Sequence, residues 1–313
     1  MIKTAVIGAG VMGSNHCRTI FNSESFQLTH VLDVNEDRAN ALATSYGGKS
    51  ATHIDEILNC EAIVIATVTE AHFDLAKLFL EQKKPVLVEK PLTLDIKQTL
   101  ELSALARRSN VPLLCGFVER FNPAMSTAIN LLDEPVVHMT AMRHSPSPGR
   151  ATTGVIEDLL IHDLDLALLL MADQELIVKK ATVRPNESQL VEIAEVSIVG
   201  LDKQIAHLSS SRWGQRKVRQ WSISTNSKLI EVDLLQQTVV VFENIDQAVG
   251  SGGGSSYRTR TVIEYPFIAR GGEPLGLQLA HFAQLINGKA SLENEIASIE
   301  RTHSVLDNIL LNG

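Results

Sequence analysis

The chain has few cysteines and no excess of positive charge. Its three cysteines, Cys17, Cys60 and Cys115, are far apart, and none stands in a Cys-X-X-Cys or Cys/His metal spacing. We therefore expect neither a disulfide framework nor a structural zinc site. Acidic residues outnumber basic ones by 36 to 28, and the basic residues are scattered. This distribution argues against a nucleic-acid partner, which would need a basic patch.

Long hydrophobic runs are also absent, and no leader segment is expected. The most apolar stretch, Leu159 to Ala172, contains His162, Asp163 and Asp165, and three polar groups in so short a segment argue against a membrane span. The first residues run directly into a strand pattern, without the basic region and cleavage site of a signal peptide. We therefore expect no membrane partner and a cytoplasmic location.

Apolar residues, in contrast, make up 44% of the 313 residues, which is enough for the cores of two domains. The first 116 residues alternate strand and helix patterns, which predicts a parallel sheet with right-handed crossovers. After Phe117, strand patterns follow one another with short turns, which predicts an antiparallel sheet. The predicted fold class is α/β, with an N-terminal Rossmann domain, a doubly wound parallel sheet, in residues 1–119. A C-terminal α+β domain with an open, mainly antiparallel sheet is predicted in residues 120–313.

Six strands and two closing helices are predicted in the second domain after the helix Val155–Ala172. The strands are Glu175–Arg184, Val191–Val199, Gln204–Ser211, Val218–Thr225, Leu229–Leu234 and Thr238–Glu243, and the helices are Leu275–Asn287 and Ile296–Leu311. The glycine- and serine-rich segment Gly250–Ser256 predicts a flexible surface loop. A loop that folds over a substrate is the alternative.

A Gly-X-Gly-X-X-Gly sequence, Gly8 to Gly13, lies between the first predicted strand and the first predicted helix. In this context Gly8 permits a tight turn, Gly10 lets the backbone approach a pyrophosphate, and Gly13 lets the helix pack closely on the strand. The helix N-terminus, at Val11 and Met12, offers N–H groups and a partial positive charge to phosphates. The motif therefore predicts a dinucleotide site formed by Gly8, Gly10, Val11, Met12 and Gly13.

Asp33 ends the second predicted strand, twenty residues after Gly13. A carboxylate at this position can accept hydrogen bonds from the adenosine ribose, and it would repel a 2′-phosphate. The sequence therefore favours NAD as the cofactor, with NADP as the alternative because Arg38 lies one turn into the next helix. A glycine turn without a nucleotide is a second alternative.

Thr67 and His72 follow the predicted strand Ala62–Ala66. Ligands of such sheets lie beyond the carboxyl ends of the strands, so Thr67 could face the cofactor. His72 either lines the cofactor site or caps the next helix, since lone histidines are often structural.

Glu89-Lys90-Pro91 ends the next predicted strand at the same edge of the sheet. The Lys90 ammonium could donate hydrogen bonds to a substrate hydroxyl and to the nicotinamide ribose, and a salt bridge with Glu89 is the alternative. Pro91 fixes the turn and restricts the backbone of Lys90, which would aim its side chain.

Together with a later Asp-X-X-X-His, these motifs resemble the Gfo/Idh/MocA family of oxidoreductases, and the resemblance extends over the whole chain. It implies an NAD-dependent dehydrogenase. In that family the lysine of the Glu-Lys-Pro sequence contacts both cofactor and substrate, which implies these roles for Lys90. Thr67, His72 and Glu89 are expected around the same cofactor.

Asp158, His162 and Asp165 are spaced i, i+4 and i+7 on a predicted helix whose remaining surface is mostly apolar. Because buried unpaired charges are costly, this polar stripe must face a partner or a cavity. His162, with an ordinary pKa of about 6.5, is a natural general base for a hydroxyl proton. The resemblance implies the same role for His162, with Asp158 as its partner. The alternatives are an ordinary helix-surface pair and a divalent cation site, although hydride transfer to NAD needs no metal.

Arg120 and Asn122 stand at the predicted domain junction, where substrate sites are frequent, so both are expected to bind substrate with Lys90, Asp158 and His162. A linker and a helix cap are the alternative. The segment around Arg120 and Asn122 and the predicted helix with Asp158 and His162 resemble a branch of the family that acts on nucleotide sugars. Its substrates include UDP-N-acetylglucosamine, and it oxidises the C3 hydroxyl to a ketone. Inositol or a free sugar is the alternative substrate.

The resemblance also implies a site for the diphosphate of such a substrate. Arginines such as Arg120, Arg143 or Arg212 could bind it in bidentate geometry. A reductase of imines or conjugated double bonds, like the biliverdin reductases of the family, and a non-catalytic sensor of NAD or sugar are the other hypotheses. The second domain has too few helices to cover both faces of its sheet, so a homodimer or homotetramer packed sheet to sheet is expected.

Overall fold

The computed structural model describes residues 1–147, 153–171, 176–200, 203–249, 256–269 and 271–312. The chain divides into two compact units. The first contains Met1–Val118 and Gly272–Asp307, and the second contains Glu119–Gly271 and Asn308–Gly313. In the described part of the chain, no helix has the length and apolar character needed to cross a membrane.

The first unit is built on a six-stranded sheet in the order β3-β2-β1-β4-β5-β6, and every pairing in it is parallel. Its strands are β1 (Ile2–Ile7), β2 (Phe26–Leu32), β3 (Lys49–Ala51), β4 (Ala62–Ile65), β5 (Val86–Val88) and β6 (Leu113–Cys115). Its N-terminal helices are α1 (Val11–Phe21), α2 (Glu36–Tyr46), α3 (His72–Glu81) and α4 (Ile96–Ser109). The central strands are fully buried because helices cover both faces of a doubly wound sheet. The predicted Rossmann architecture is confirmed.

Two C-terminal helices, α7 (Pro274–Ile286) and α8 (Leu292–Asn312), follow the second sheet in sequence. Helix α7 packs in the core of the first unit, where the rings of Phe26 and Phe282 stack with centroids 6.0 Å apart. The division observed here therefore differs from the predicted boundary at residue 119, which assigned all of residues 120–313 to a second domain. The physical reason is that the apolar face of α7 is buried against strands that precede it by about 250 residues.

The second unit is built on an eight-stranded sheet in the order β14-β13-β12-β11-β7-β10-β9-β8. Its strands are β7 (His138–Pro146), β8 (Leu176–Pro185), β9 (Val191–Gly200), β10 (Ile205–Ser211), β11 (Trp213–Ser224), β12 (Lys228–Asp233), β13 (Thr238–Val249) and β14 (Ser256–Glu264). Among these pairings, β10 with β7 is parallel and the others are antiparallel. The prediction of a mainly antiparallel sheet is confirmed.

Alternate residues of this sheet face opposite sides, as strand geometry requires. The buried side includes Met139, Ala141 and Ile223, and the helices α5 (Pro123–Asn130) and α6 (Ile161–Leu170) pack against strands of the sheet. A π-helical turn, Ile156–Leu160, leads directly into α6. The opposite side exposes residues such as Met142.

Three strands were not predicted: β3, β7 and β14. Strand β7 lacks a clear apolar pattern because Arg143 is on its buried side, where carboxylates neutralise it. Strand β14 shows no hydrophobic alternation from which a strand could be inferred. Ser256, the last residue of the predicted loop, is the first residue of β14, whereas residues 250–255 of that loop lie outside the described part of the chain.

Candidate active site

The glycine motif forms the turn between β1 and α1. Gly8 has a φ of +100°, and a Cβ added there or at Gly13 would overlap a backbone carbonyl oxygen. A Cβ at Gly10 would meet no atom within 4 Å. Packing therefore requires two of the glycines, while Gly10 faces open space that a ligand can approach. Val11 and Met12 begin α1, where the first-turn N–H groups have no acceptor within the helix. This turn fits a pyrophosphate.

Asp33 follows β2 and faces the same turn. Its Oδ2 accepts a hydrogen bond from the backbone N–H of Ala9 at 2.6 Å, and its Oδ1 accepts one from Asn35 N–H at 2.7 Å. These bonds hold the partly exposed carboxylate beside the glycine turn. A carboxylate so placed can accept hydrogen bonds from a ribose.

Glu89 and Lys90 follow β5. The buried Glu89 carboxylate accepts a hydrogen bond from His16 Nε2 at 2.8 Å and a longer one, at 3.3 Å, from the Lys90 backbone N–H. Burial would raise the pKa of Glu89, but the hydrogen bond from His16 and the charge of Lys90 outweigh it, so the pKa is lowered. A Cβ at Gly116 would lie only 2.9 Å from Glu89 Oε2. Glu89 therefore fixes the start of the loop that carries Lys90, called the lysine loop below, and links it to α1.

His72 lies beneath this loop and is only 1% exposed. Its Nδ1 is 3.0 Å from the carbonyl oxygen of Pro91, and its Nε2 is 3.3 Å from that of Thr67. The structure thus places His72 between the two loops that carry Thr67 and Lys90, as a structural link between them. This burial favours the structural alternative for His72 over the predicted contact with the cofactor. The partly exposed Thr67 remains a candidate for that contact.

His303, on α8, holds the far side of the lysine loop. Its Nε2 accepts a hydrogen bond from Leu92 N–H at 2.9 Å, and its Nδ1–H donates to the Ile299 carbonyl at 2.9 Å. Burial lowers the pKa of His303 to about 4, so the ring is neutral at ordinary pH. Sequence reasoning missed His16 and His303, because nothing in their local patterns connects them with a loop 73 or 211 residues away.

The second unit contains the other candidate residues. Asp158 lies in the π-helical turn and His162 in the first turn of α6, and both are partly buried. Such single π turns occur frequently at functional sites. Asp158 Oδ2 accepts a hydrogen bond from Arg212 Nη2 at 2.8 Å, and Arg212 Nη1 donates to the Thr153 carbonyl at 2.6 Å. Arg212 therefore fixes the orientation of the Asp158 carboxylate.

A buried charged group lies beside this helix. Arg143 binds Asp163 through two hydrogen bonds of 2.8 Å each, and it donates a third to Glu119 at 2.9 Å. Arg219 also donates to Glu119, at 3.0 Å, and Trp221 Nε1 donates to Asp163 at 3.2 Å. Burial would raise the pKa of Glu119, but the charges of Arg143 and Arg219 outweigh it and the pKa is lowered. The group fixes α6 to the sheet.

Arg120 and Asn122 make contacts typical of structural residues. Arg120 forms a bidentate ion pair with Asp165, whose side chain is 1% exposed. Asn122 caps α5 by accepting from Ala124 N–H at 3.1 Å, and its Nδ2 donates to the Leu234 carbonyl at 3.0 Å. The helix-cap alternative thus describes Asn122 better than the predicted substrate contact.

The three arginines suggested for a diphosphate all bind carboxylates within the second unit. Arg120 binds Asp165, Arg143 binds Asp163 and Glu119, and Arg212 binds Asp158. Because these pairs already satisfy the guanidinium groups, the structure does not support the expected phosphate contacts. The pairing of Asp165 with Arg120 also counts against a cation held by Asp158, His162 and Asp165. Among the described residues, no cluster of histidine, cysteine and carboxylate side chains has metal-binding geometry.

The glycine turn, the Asp33 carboxylate beside it and the parallel sheet define the first unit as a Rossmann domain of the dinucleotide-binding type. Residues 2–117 match the model of the Gfo/Idh/MocA oxidoreductase family, described as an NAD-binding Rossmann fold. The N-terminal Rossmann domain of the chain is thus similar to that of this family.

Relatives with assigned activities match over much of the chain. The UDP-N-acetylglucosamine 3-dehydrogenase of Acidithiobacillus ferrooxidans is 28% identical over 243 residues, which are 77% of each chain. Its solved structure superposes with a TM-score of 0.88 at 24% identity, covering 99% of this chain and 97% of the other. An inositol 2-dehydrogenase of Rhizobium meliloti is 27% identical over 55% of this chain and 56% of its own. A 3-ketoreductase from Actinomadura kijaniata, in complex with NADP and TDP-benzene, has a TM-score of 0.83 at 16% identity, covering 99% and 97% of the two chains.

Proposed function

We propose that the protein is an NAD-dependent dehydrogenase that oxidises a ring hydroxyl of a sugar to a ketone. The proposed substrate is a nucleotide sugar, and the proposed site is C3 of a hexose such as that of UDP-N-acetylglucosamine. The observation that carries the proposal is the partly buried Asp158 and His162 at the start of α6, with Asp158 oriented by Arg212. The similarity to a UDP-N-acetylglucosamine 3-dehydrogenase over 77% of the chain supports the substrate class.

The glycine turn and Asp33 hold the cofactor in this proposal. Gly10 leaves room for the pyrophosphate, and the Asp33 carboxylate accepts hydrogen bonds from the adenosine ribose. The same negative charge repels a 2′-phosphate, which favours NAD over NADP. Bound NAD⁺ supplies the acceptor for the hydride that leaves the substrate carbon.

The side chains then handle the proton and the developing charge. The His162 imidazole takes the hydroxyl proton as the C–H bonding pair leaves, and Asp158 stabilises the resulting imidazolium. The Lys90 ammonium donates hydrogen bonds to a substrate hydroxyl and to the nicotinamide ribose. Glu89, bound by His16, holds the backbone from which Lys90 extends. Inositol or a free sugar is the alternative substrate.

Turnover tests this proposal directly. Formation of NADH is followed with UDP-sugars, inositol and free sugars, with NADP replacing NAD in a parallel series. His162→Asn and Lys90→Met are each expected to lower kcat by roughly 10²- to 10⁴-fold, the usual contribution of a positioned proton-transfer group. His53→Asn, which changes an exposed histidine in the first unit, is the matched control. Absence of NADH formation with every sugar and inositol would refute the proposal.

We also propose that the protein self-associates through the exposed side of its eight-stranded sheet, as a dimer or a tetramer. A groove of about 600 Å³ crosses this side, lined by residues of β7 and β9 to β13 that include Thr140, Met142 and Glu231. Sedimentation is expected to give a multiple of 34.2 kDa, and Met142→Arg is expected to lower it by placing charge on the covered face. A wild-type protein that sediments as a single chain contradicts this proposal.

A further inference from the structure

Trp213, the first residue of β11, is 58% exposed yet firmly held. Its Nε1 donates a hydrogen bond to Glu192 at 2.8 Å, and its backbone N–H donates to the Ser211 hydroxyl at 3.0 Å. The Arg184 guanidinium lies over the ring, 4.9 Å from its centroid. Because the indole is already immobilised, a planar ligand that stacks on it loses little additional side-chain entropy in binding.

A cavity of about 300 Å³ adjoins this indole, and its lining includes Ser147, Arg212, Trp213 and Gly214. The volume is at the lower end of the range for small-molecule sites. Arg212, in the cavity wall, is the residue that binds Asp158 at 2.8 Å. One guanidinium group therefore separates the cavity from the carboxylate that we assign to the reaction.

The backbone that follows Trp213 departs from regular strand pairing. Trp213 pairs with Pro146 of β7, and the next pair along the strand is Val218 with His144. Four residues of β11 thus oppose one residue of β7, which forms a bulge that redirects side chains. Two of the four, Arg216 and Lys217, are exposed cations.

An exposed, immobilised indole, followed three and four residues later by exposed cations, matches a nucleoside diphosphate. Aromatic bases stack on tryptophan regardless of their hydrogen-bonding pattern, and cationic side chains favour the diphosphate. A free sugar has neither a planar ring nor a negative charge to use these features.

We propose that Trp213 and the adjoining cavity form the base subsite of a nucleotide-sugar substrate, with Arg216 and Lys217 attracting its diphosphate. This inference rests on the proposed function and names the part of the substrate that the second unit recognises. It also supplies cations for the diphosphate other than Arg120, Arg143 and Arg212, which bind carboxylates.

Fluorescence tests the subsite without catalysis. The chain has two tryptophans, and Trp221 is only 3% exposed, so the exposed indole is removed selectively in Trp213→Phe. Titration of the full-length protein with UDP alone is expected to quench the emission of the wild type and not that of Trp213→Phe. UDP-N-acetylglucosamine is expected to act like UDP, and free N-acetylglucosamine is expected to have no effect.

Calorimetry measures the contribution of the stacking. Trp213→Leu is expected to raise the Kd of UDP about 10-fold, the effect typical of losing one base–aromatic stack. Phe267→Leu, which removes another exposed aromatic ring of the same unit, is the matched control and is expected to leave the Kd unchanged.

Three results would overturn the subsite: an unchanged Kd in Trp213→Leu, equal quenching by UDP and by free sugar, or quenching that follows protein concentration. The last would assign Trp213 to contacts between copies of the chain. Quenching by UDP without turnover of any sugar contradicts the proposed function and leaves the subsite intact. Turnover with an unchanged kcat/KM for nucleotide sugars in Trp213→Leu contradicts only the subsite.

Discussion

The regions around Lys90 and His162 are held in place by different chemistry. Around the lysine loop, buried histidines make directional contacts: His16 with a carboxylate, His72 with two carbonyl oxygens and His303 with a backbone N–H. In α6 and the π-helical turn before it, the carboxylates are bound by arginines, mostly through several hydrogen bonds at once.

The difference teaches how each region should respond to changed conditions. His303 accepts its hydrogen bond from Leu92 only while its ring is neutral, so protonation of His303 at acidic pH weakens the support of the lysine loop. An arginine keeps its charge, so the helix depends on the ionisation of the carboxylates. The pKa of Glu119 is lowered from its ordinary value of 4.5. The ionised carboxylate therefore stabilises the folded state fully above pH 4.5, and this stabilisation is lost as the pH falls through the folded-state pKa.

The largest effect on stability is expected where a buried ion pair is broken. Arg143→Met leaves the carboxylates of Asp163 and Glu119 buried without their principal partner, and removal of one partner of such a pair typically costs about 3–5 kcal/mol. Urea unfolding monitored by circular dichroism measures the loss. Arg107→Met is the control, because Arg107 pairs with Glu293 and Glu300 on the surface, where a pair contributes about 0–1 kcal/mol. Equal losses in the two variants would contradict the contrast.

A smaller effect is expected at His303. His303→Leu removes the acceptor for Leu92 N–H, and an unsatisfied buried donor costs about 1–3 kcal/mol. His303→Gln keeps an acceptor oxygen and should recover part of the loss. If both variants lose the same amount, the hydrogen bond is not the source of the stability.

The pH dependence of the free energy of unfolding tests the contribution of His303 to the lysine loop. Its folded-state pKa of about 4 lies below the ordinary 6.5, so the unfolded chain binds more protons between these values. The wild type should therefore lose stability as the pH falls from 6.5 toward 4, by up to about 3 kcal/mol from this group. His303→Leu should show a flatter pH profile in this window, measured by urea unfolding at each pH. A profile parallel to that of the wild type would show that His303 is not the titrating group.

Local patterns predicted much of the fold and the position of Asp33 beside the glycine turn. Strand β9 and helix α7 lie within one residue of their predicted bounds at each end, and the glycine turn and Asp33 meet as the motif requires. These features follow from residues close together in sequence, where hydrophobic period and turn chemistry act directly.

Features that depend on distant partners could not be predicted. Arg143 looks like a surface residue until Asp163, twenty residues later, neutralises it. His303 is an ordinary helix residue until the fold brings it to Leu92. Arg120 and Asn122 suggested a substrate contact because of their place in the chain, but the structure shows them in an ion pair and a helix cap.

The stacking of Phe26 on Phe282 has a consequence for biosynthesis. When Phe26 leaves the ribosome, about 250 residues that include the whole second sheet must still be made before its partner exists. At roughly 5–20 residues per second, the part of this core that α7 covers, around Phe26, remains exposed for about 10–50 s. The nascent chain is thus a natural client for chaperones until its last helices emerge.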